Sequence, residues 1–235
     1  NLMKTLNKKN FIYGLIPAKL NSKSIYQKNL QKIKKKSLIE IAIDQTKKVK
    51  KIDKIYVSSE SKKVKKICEI KKVIFFKRNK LFSTFKASAN SVILEFIKTK
   101  KLKKNDTIAY LQPTSPFRNF KHINACLKKF EKNNQKTLLS IKKLNFSIFK
   151  SISLKSNRIN PLFDEKFLTS NRQSSPKFYA PNGAIYIFLV KNFMKKKRIP
   201  HKYSIPFLMN EKDSLDIDSV LDLKRARNLC VADKN

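Results

Sequence analysis

Five short runs rich in β-branched and aromatic residues recur in the first 145 positions: Phe11–Ile16, Ile52–Val57, Val73–Phe76, Thr107–Leu111 and Thr137–Ile141. Between each run and the next lies a stretch whose apolar residues repeat at helical spacing. The first such stretch carries Leu38, Ile39, Ile41, Ala42, Ile43 and Val49 behind a candidate N-cap at Ser37, and the second carries Val64, Ile67 and Cys68 behind Ser58–Ser61. The third and fourth span Ala87 to Ile97 and Phe120 to Phe130. Strands that alternate with helices at this spacing pair in parallel, because each connection must cross back over the sheet. The expected fold is therefore α/β, with three layers and a mostly parallel sheet in the middle.

The fourth run ends in Gln112-Pro-Thr-Ser-Pro-Phe-Arg118. Each proline fixes φ and lacks a ladder donor, so the strand stops abruptly there. Gln112, Thr114, Ser115 and Arg118 are left at its carboxyl end, where open α/β sheets bind ligands. An ordinary polar turn would look the same. After about Leu144 the alternation lapses into irregular β structure over Phe146–Leu154 and Ser156–Phe163, followed by a polar loop at Asn171–Pro176. Phe178–Leu189 is strongly β, interrupted by Pro181-Asn182-Gly183; with only two glycines in the chain, Gly183 is expected at a bend or a close backbone approach. Leu215–Asp218 reads as a short strand running into a last helix, Val220–Val231.

Charge excludes less than its size suggests. The formal net charge is +39, yet of 55 basic residues only 7 are Arg and the lysines are spread along the whole chain. A nucleic-acid binder sets a basic face apart and interleaves arginine and aromatic residues. Abundant Lys, Asn, Ile and Phe fit an AT-biased coding sequence instead. Cys68, Cys126 and Cys230 are far apart and read as reduced core thiols, and His122 and His201 are isolated, so neither a zinc site nor a histidine-based triad is visible. Phe11–Ala18, the apolar run behind Lys8-Lys9, is too short to span a bilayer. The expectation is a soluble, cytoplasmic protein with no membrane and no specific nucleic-acid partner.

Two constellations carry chemistry. The loop after the first strand places Lys19, Lys23 and Lys28 within ten residues, which suits a triphosphate, although lysine is common everywhere in this chain. Acidic residues number only 16, yet Asp216 and Asp218 stand at i and i+2. In extended chain both carboxylates point to one side, about 7 Å apart along the backbone. That suits an octahedral Mg²⁺ that keeps water and phosphate as its other ligands. Capping of the last helix by Asp218 or Ser219, with Asp222 beyond, remains open beside it.

Six stretches then resemble the acylneuraminate cytidylyltransferase family in its order and spacing: IPAKLNSKSIYQKN (Ile16–Asn29), IYVSSES (Ile55–Ser61), LQPTSPFR (Leu111–Arg118), RQSSP (Arg172–Pro176), PNGAIYI (Pro181–Ile187) and DSLDIDSVLDL (Asp213–Leu223). The resemblance implies a Rossmann-like single domain over residues 1–235. Residues 10–143 would mainly hold nucleotide, 144–177 would form a small β-rich dimerisation and sugar-lid segment, and 178–235 would return to the core sheet. It implies Mg²⁺-dependent transfer from CTP to a nine-carbon 2-keto sugar acid in a homodimer, and LQPTSP with NGAIYI points to the sialic and legionaminic branch. Lys19, Asn21, Ser22, Lys23, Lys28, Asn29, Lys77 and Ser88 would hold CTP. Gln112, Lys150, Arg172, Asn182 and Tyr186 would hold the sugar acid, and Asp216 and Asp218 the metal, with Lys28 stabilising transition-state charge. The chain departs from the family at Leu20-Asn21 and Ser24–Tyr26, where glycines and a proline are usual, at Lys77 and Ala180 for Arg, and at Thr84 for Asp. A catalytically impaired relative, or a basic nucleic-acid-binding protein on an α/β scaffold, are the competing readings.

Overall fold

The structure, a computed structural model, describes residues 9–20, 22, 24–79, 88–134, 136–170 and 177–232. Its elements in chain order are β1 (Ile12–Pro17), β2 (Lys32–Ile33), β3 (Lys36–Ser37), α1 (Leu38–Lys47), β4 (Lys54–Ser59), α2 (Lys62–Lys71), β5 (Ile74–Lys77), α3 (Ala89–Thr99), β6 (Thr107–Tyr110) and α4 (Phe120–Lys132). There follow β7 (Leu138–Lys143), β8 (Ile152–Lys155), β9 (Arg158–Pro161), α5 (Lys166–Thr169), β10 (Tyr179–Leu189), α6 (Val190–Met194), β11 (Ile205–Leu208) and α7 (Val220–Ala232).

Seven strands form one sheet in the order β11-β7-β10-β6-β1-β4-β5. All neighbours run parallel except β10, which is antiparallel to β6 and to β7. Successive residues of the central strands enter different cores, as the two-residue period requires. Ile16, Val57, Ala109 and Leu111 pack with α1, α2 and α4, whereas Leu15, Tyr56, Ile108 and Tyr110 pack with α3 and Phe193 of α6. Both faces of the sheet are thus covered by helices. Gly14 permits α1 to lie close to β1, since a Cβ there would come within 3.1 Å of Thr46 Cγ2.

The helices begin where local chemistry tells them to. Ser37 and Glu40 form a capping box at α1, Ser61 accepts from Lys63 N at α2, and Ser88 accepts from Ser91 N at α3. Asn119 caps α4 by accepting from Lys121 N and His122 N.

The structure corrects two sequence expectations. Residues 215–218 are not a strand. They have no regular secondary structure and pair in no sheet among the described residues, and they are tied to the core by Ile217 N donating to Thr114 O at 2.9 Å. Ile217 is buried, Asp218 exposed and Asp216 half-buried, and both carboxylates line the same concavities, so the pair survives the change of element. β10 also runs unbroken through Pro181-Asn182-Gly183, its pairing with β7 shifting register between Pro181 and Tyr186. Gly183 takes φ +78°, which accommodates that irregularity without steric cost.

Candidate active site

Two adjoining concavities open at the carboxyl ends of the parallel strands. The first, about 230 Å³, is lined by Lys19, Ser22, Lys28 and Asn29 from the loop after β1, by Arg78 after β5, by Ser88 at the start of α3, and by Tyr110, Gln112 and Thr114 at the end of β6. The second, about 570 Å³, is lined by Lys142, Pro181, Asn182, Gly183, Tyr186, Glu211, Ser214, Asp222 and Arg225. Gln112, Asp216 and Asp218 line both. Lys28 Nζ reaches Asp218 Oδ1 at 3.0 Å across 190 positions of chain, so the loop after β1 and the aspartate pair share one crevice.

The first concavity gathers positive charge. Burial, then Arg78 and Lys28, hold the Lys19 ammonium below its usual range; Glu60 only partly offsets them. Arg78 is buried and its guanidinium is likewise lowered by desolvation, while its Nη2 and Nε donate to Ser58 O and Oγ at 2.8 and 3.1 Å. Ser88 sets the amino end of α3 at the same wall, where helix N–H groups favour an anion. Three cations and a helix terminus converging on one small space suit a polyphosphate. The backbone beside Lys19 is anchored by Leu20 N, which donates to Glu60 Oε1, and by Lys19 O, which accepts from Asn29 Nδ2, both at 2.8 Å. Leu20 keeps an ordinary negative φ, so its replacement of a usual glycine is tolerated; Gln27 takes the left-handed conformation instead.

The junction between the concavities is the electrostatically unfinished part. Desolvation raises the Asp216 carboxyl above its usual range; a hydrogen bond from Thr114 opposes this and the neighbouring charge of Asp218 reinforces it. Asp216 Oδ1 is buried without a hydrogen-bond partner among the described residues. A carboxylate oxygen so placed, beside a second carboxylate, is one that a divalent cation would satisfy. Among the described residues no larger cluster of His, Cys, Asp or Glu gathers anywhere. Ser219 and Asp222 cap α7 reciprocally, and Asp218 N donates to Asp222 Oδ2, so capping needs neither Asp216 nor the Asp218 carboxylate. Gly183 is required here as well as for its φ: a Cβ would come within 2.9 Å of Gln112 Oε1 and 3.2 Å of Asp216 Oδ2.

Of the residues singled out from sequence, Lys19, Ser22, Lys28, Asn29, Ser88, Gln112, Asn182, Tyr186, Asp216 and Asp218 line these concavities. Asn182 does so mainly as a structural knot, donating to Ser214 Oγ and accepting from Ser140 Oγ and Ala184 N. Lys77 lines neither; it is exposed, and its neighbour Arg78 turns inward. Lys150 is exposed on a 3-10 turn and also lines neither. Asn21, Lys23, Thr84 and Arg172 lie outside the described residues. Sequence reasoning missed Arg78, Lys142, Tyr110 and Arg225. Only Arg78, adjacent to an expected cation, carried a usable signal.

The sequence profile of the cytidylyltransferase family matches residues 13–232. An N-acylneuraminate cytidylyltransferase of Escherichia coli O18:K1:H7 is 29% identical over 218 residues, covering 92% of this chain but 51% of that protein. The chain thus spans about half the length of that relative. A pseudaminic acid cytidylyltransferase of Campylobacter jejuni is 27% identical over 218 residues, covering 92% of this chain and 94% of that one. In fold the chain is similar to a CMP:2-keto-3-deoxy-manno-octonic acid synthetase structure solved with CTP, at a TM-score of 0.71 and 12% identity, covering 95% of this chain and all of that one.

Proposed function

This chain belongs to the cytidylyltransferase family, and from that premise we propose that it activates a sialic-type nine-carbon 2-keto sugar acid, N-acetylneuraminate or legionaminate, with CTP. The observation that carries the reading is the sharing of Gln112, Asp216 and Asp218 by two concavities of which one gathers Lys19, Lys28 and Arg78. A triphosphate belongs among those cations, and the sugar acid in the larger space beyond the aspartates. The anomeric hydroxyl attacks the α-phosphate and gives up its proton to solvent, its oxygen joins phosphorus, and the bond from phosphorus to the bridging β-phosphate oxygen breaks to release pyrophosphate.

This chain's side chains act by placement and charge. Lys19, Lys28 and Arg78 bind and orient the phosphates, and Lys28 also aligns Asp218. Gln112, held between the two spaces, orients the acceptor against the nucleotide. Lys142, which faces Asp216, offers a cation to the acceptor's carboxylate. Mg²⁺ on Asp216 and Asp218 would neutralise phosphate charge; the partnerless Asp216 Oδ1 fits that role. The identities of 29% and 27% to relatives named for different acids do not separate the acceptors. The LQPTSP and NGAIYI strings support the sialic and legionaminic choice.

The homodimer is part of this proposal. The β8–β9 hairpin leaves Leu154, Ile159 and Leu162 more than half exposed and Ile152 at 43%, an apolar surface that a second copy would cover. An arm reaching the partner would also account for Lys150 lying outside both concavities of its own chain. Cytoplasmic placement follows from the need for CTP and agrees with the free, buried thiols of Cys68 and Cys126. No helix among the described residues is long and apolar enough to cross a membrane.

The test is pyrophosphate release from CTP and Mg²⁺ with N-acetylneuraminate, legionaminate, pseudaminate and 3-deoxy-octulosonate, alongside sedimentation of the same sample. Release with either of the first two, from a particle of twice the chain mass, is expected. Silence with all four acids, together with salt-dependent binding of RNA or DNA that Asp216→Asn leaves intact, would replace this reading with nucleic-acid binding.

A further inference from the structure

Arg118 is 1% exposed and among the largest fully buried side chains of the protein. Its Nη1 donates to Gln112 O at 2.7 Å and to Ala184 O at 2.9 Å, and its Nε has no acceptor among the described residues. Burial pulls its pKa down to about 10, with no carboxylate opposing the shift. A guanidinium taken out of water with no counter-ion among the described residues is costly, and an apolar side chain of similar volume would pack there more cheaply. Whatever keeps the charge must therefore be what its hydrogen bonds hold.

Both carbonyls belong to the junction of the two concavities. Gln112 lines both spaces, and Ala184 follows Gly183, whose backbone approaches Gln112 Oε1 and Asp216 Oδ2. The turn from Gln112 to Arg118 closes through Arg118 N donating to Ser115 O at 3.2 Å, and in its middle Thr114 O accepts Ile217 N. Strand β10, the Gln112 turn and the segment bearing the aspartates thus meet within one short stretch, and Arg118 spans the first two. We propose that Arg118 is a positioning residue whose paired hydrogen bonds set the distance between Gln112 and Asp216, across which nucleotide and acceptor meet. The catalytic consequence rests on the proposed function; the mechanical one does not.

Arg118→Met removes the charge and the Nη1 donor at similar volume, and Arg118→Lys keeps the charge but must serve both carbonyls from an ammonium without the planar guanidinium that fixes the donor. Both are compared with wild type by thermal melting, steady-state kinetics and amide hydrogen exchange. For Arg118→Met the expected result is a melting temperature at or above wild type, kcat lower by about 30-fold or more, and KM for CTP within threefold. Exchange at Ile217 should quicken at least tenfold while the amides of β4 stay protected. Arg118→Lys should lie between, with kcat down about tenfold, and it carries the test if the Met variant does not fold. A folded variant with kcat within threefold of wild type, or with unchanged protection at Ile217, overturns the proposal. If wild type turns over none of the acids, the functional reading fails on that result, and the exchange measurement still decides whether Arg118 braces the junction.

Discussion

The outer face of α1 and α2 and the crevice at the strand ends treat charge in opposite ways. On the helical face Asp44 accepts from Lys36 Nζ at 2.6 Å and from Lys71 Nζ at 2.9 Å, and Glu40 closes the capping box with Ser37. Burial pushes both carboxyls up, but the hydrogen bonds and cations outweigh it and hold them below their usual range. Where the two concavities meet, burial runs against the charged form: Lys19 and Arg78 are lowered and Asp216 is raised, whereas Asp222, at the rim, is held down by the hydrogen bonds of its cap. Asn29 Oδ1 and Asp216 Oδ1 there have no partner among the described residues. The same lysine-rich sequence neutralises itself where only stability is at stake and leaves like charges together where a ligand must complete them.

The sharpest way to break that contrast is Asp216→Asn. Replacing a carboxylate that folding has partly desolvated should leave the melting temperature in EDTA unchanged or raised, since the raised pKa means the charged form opposes folding. Turnover should fall by about 10³-fold or more, because the proposed Mg²⁺ would lose a ligand. A clear drop in melting temperature would show that the carboxylate is structural, and the two regions would no longer differ in kind.

How far the sequence carries this contrast depends on what periodicity can resolve. The alternating strands and helices are legible because a two-residue and a 3.6-residue period differ over any window of ten residues. The Asp216/Asp218 pair is legible even with its element misassigned, because Ile217 between them is apolar and must turn inward. One-residue register at a strand end is not legible. Arg78 N donates to Ser59 O, continuing the β4–β5 ladder one residue past β5, so Phe76 and Arg78 face inward and Lys77 outward. β11 escapes notice because Pro206 sits within it, which an edge strand tolerates. Arg118 reads as a polar turn residue, since nothing local reports that its partners are two backbone carbonyls, one of them 66 positions away.

That register error supplies the next and smaller test. Arg78→Lys keeps a cation in the crevice but gives up the fork on Ser58, so kcat/KM for CTP should fall about tenfold to a hundredfold. Lys77→Ala, on the exposed side, should stay within twofold. Steady-state kinetics with CTP varied measure both. The reverse order of effects would mean that Lys77 is the phosphate ligand and that the inward turn of Arg78 is structural.

The smallest effect is expected on the paired face, from Asp44→Asn. Two partly exposed ion pairs to one carboxylate contribute about 1 kcal/mol together once solvent screening is allowed for, or about 2–4 °C in melting temperature for a domain of this size. Turnover should not change, since Asp44 lies in neither concavity. The pH dependence fixes the origin of the loss. The folded pKa of Asp44 lies below its unfolded value, so its contribution is complete above the unfolded pKa of about 3.9 and is lost as pH falls through the folded one. Melting curves of wild type and variant should therefore stand apart at pH 6–7 and converge below about pH 4. For Asp216→Asn the sign is opposite: any gain in melting temperature should be largest at neutral pH and vanish in acid, where both proteins are uncharged at that site. If the two variants shifted in the same direction with pH, the division between a self-neutralised face and a crevice awaiting ligand would fail, because one electrostatic rule would then govern both.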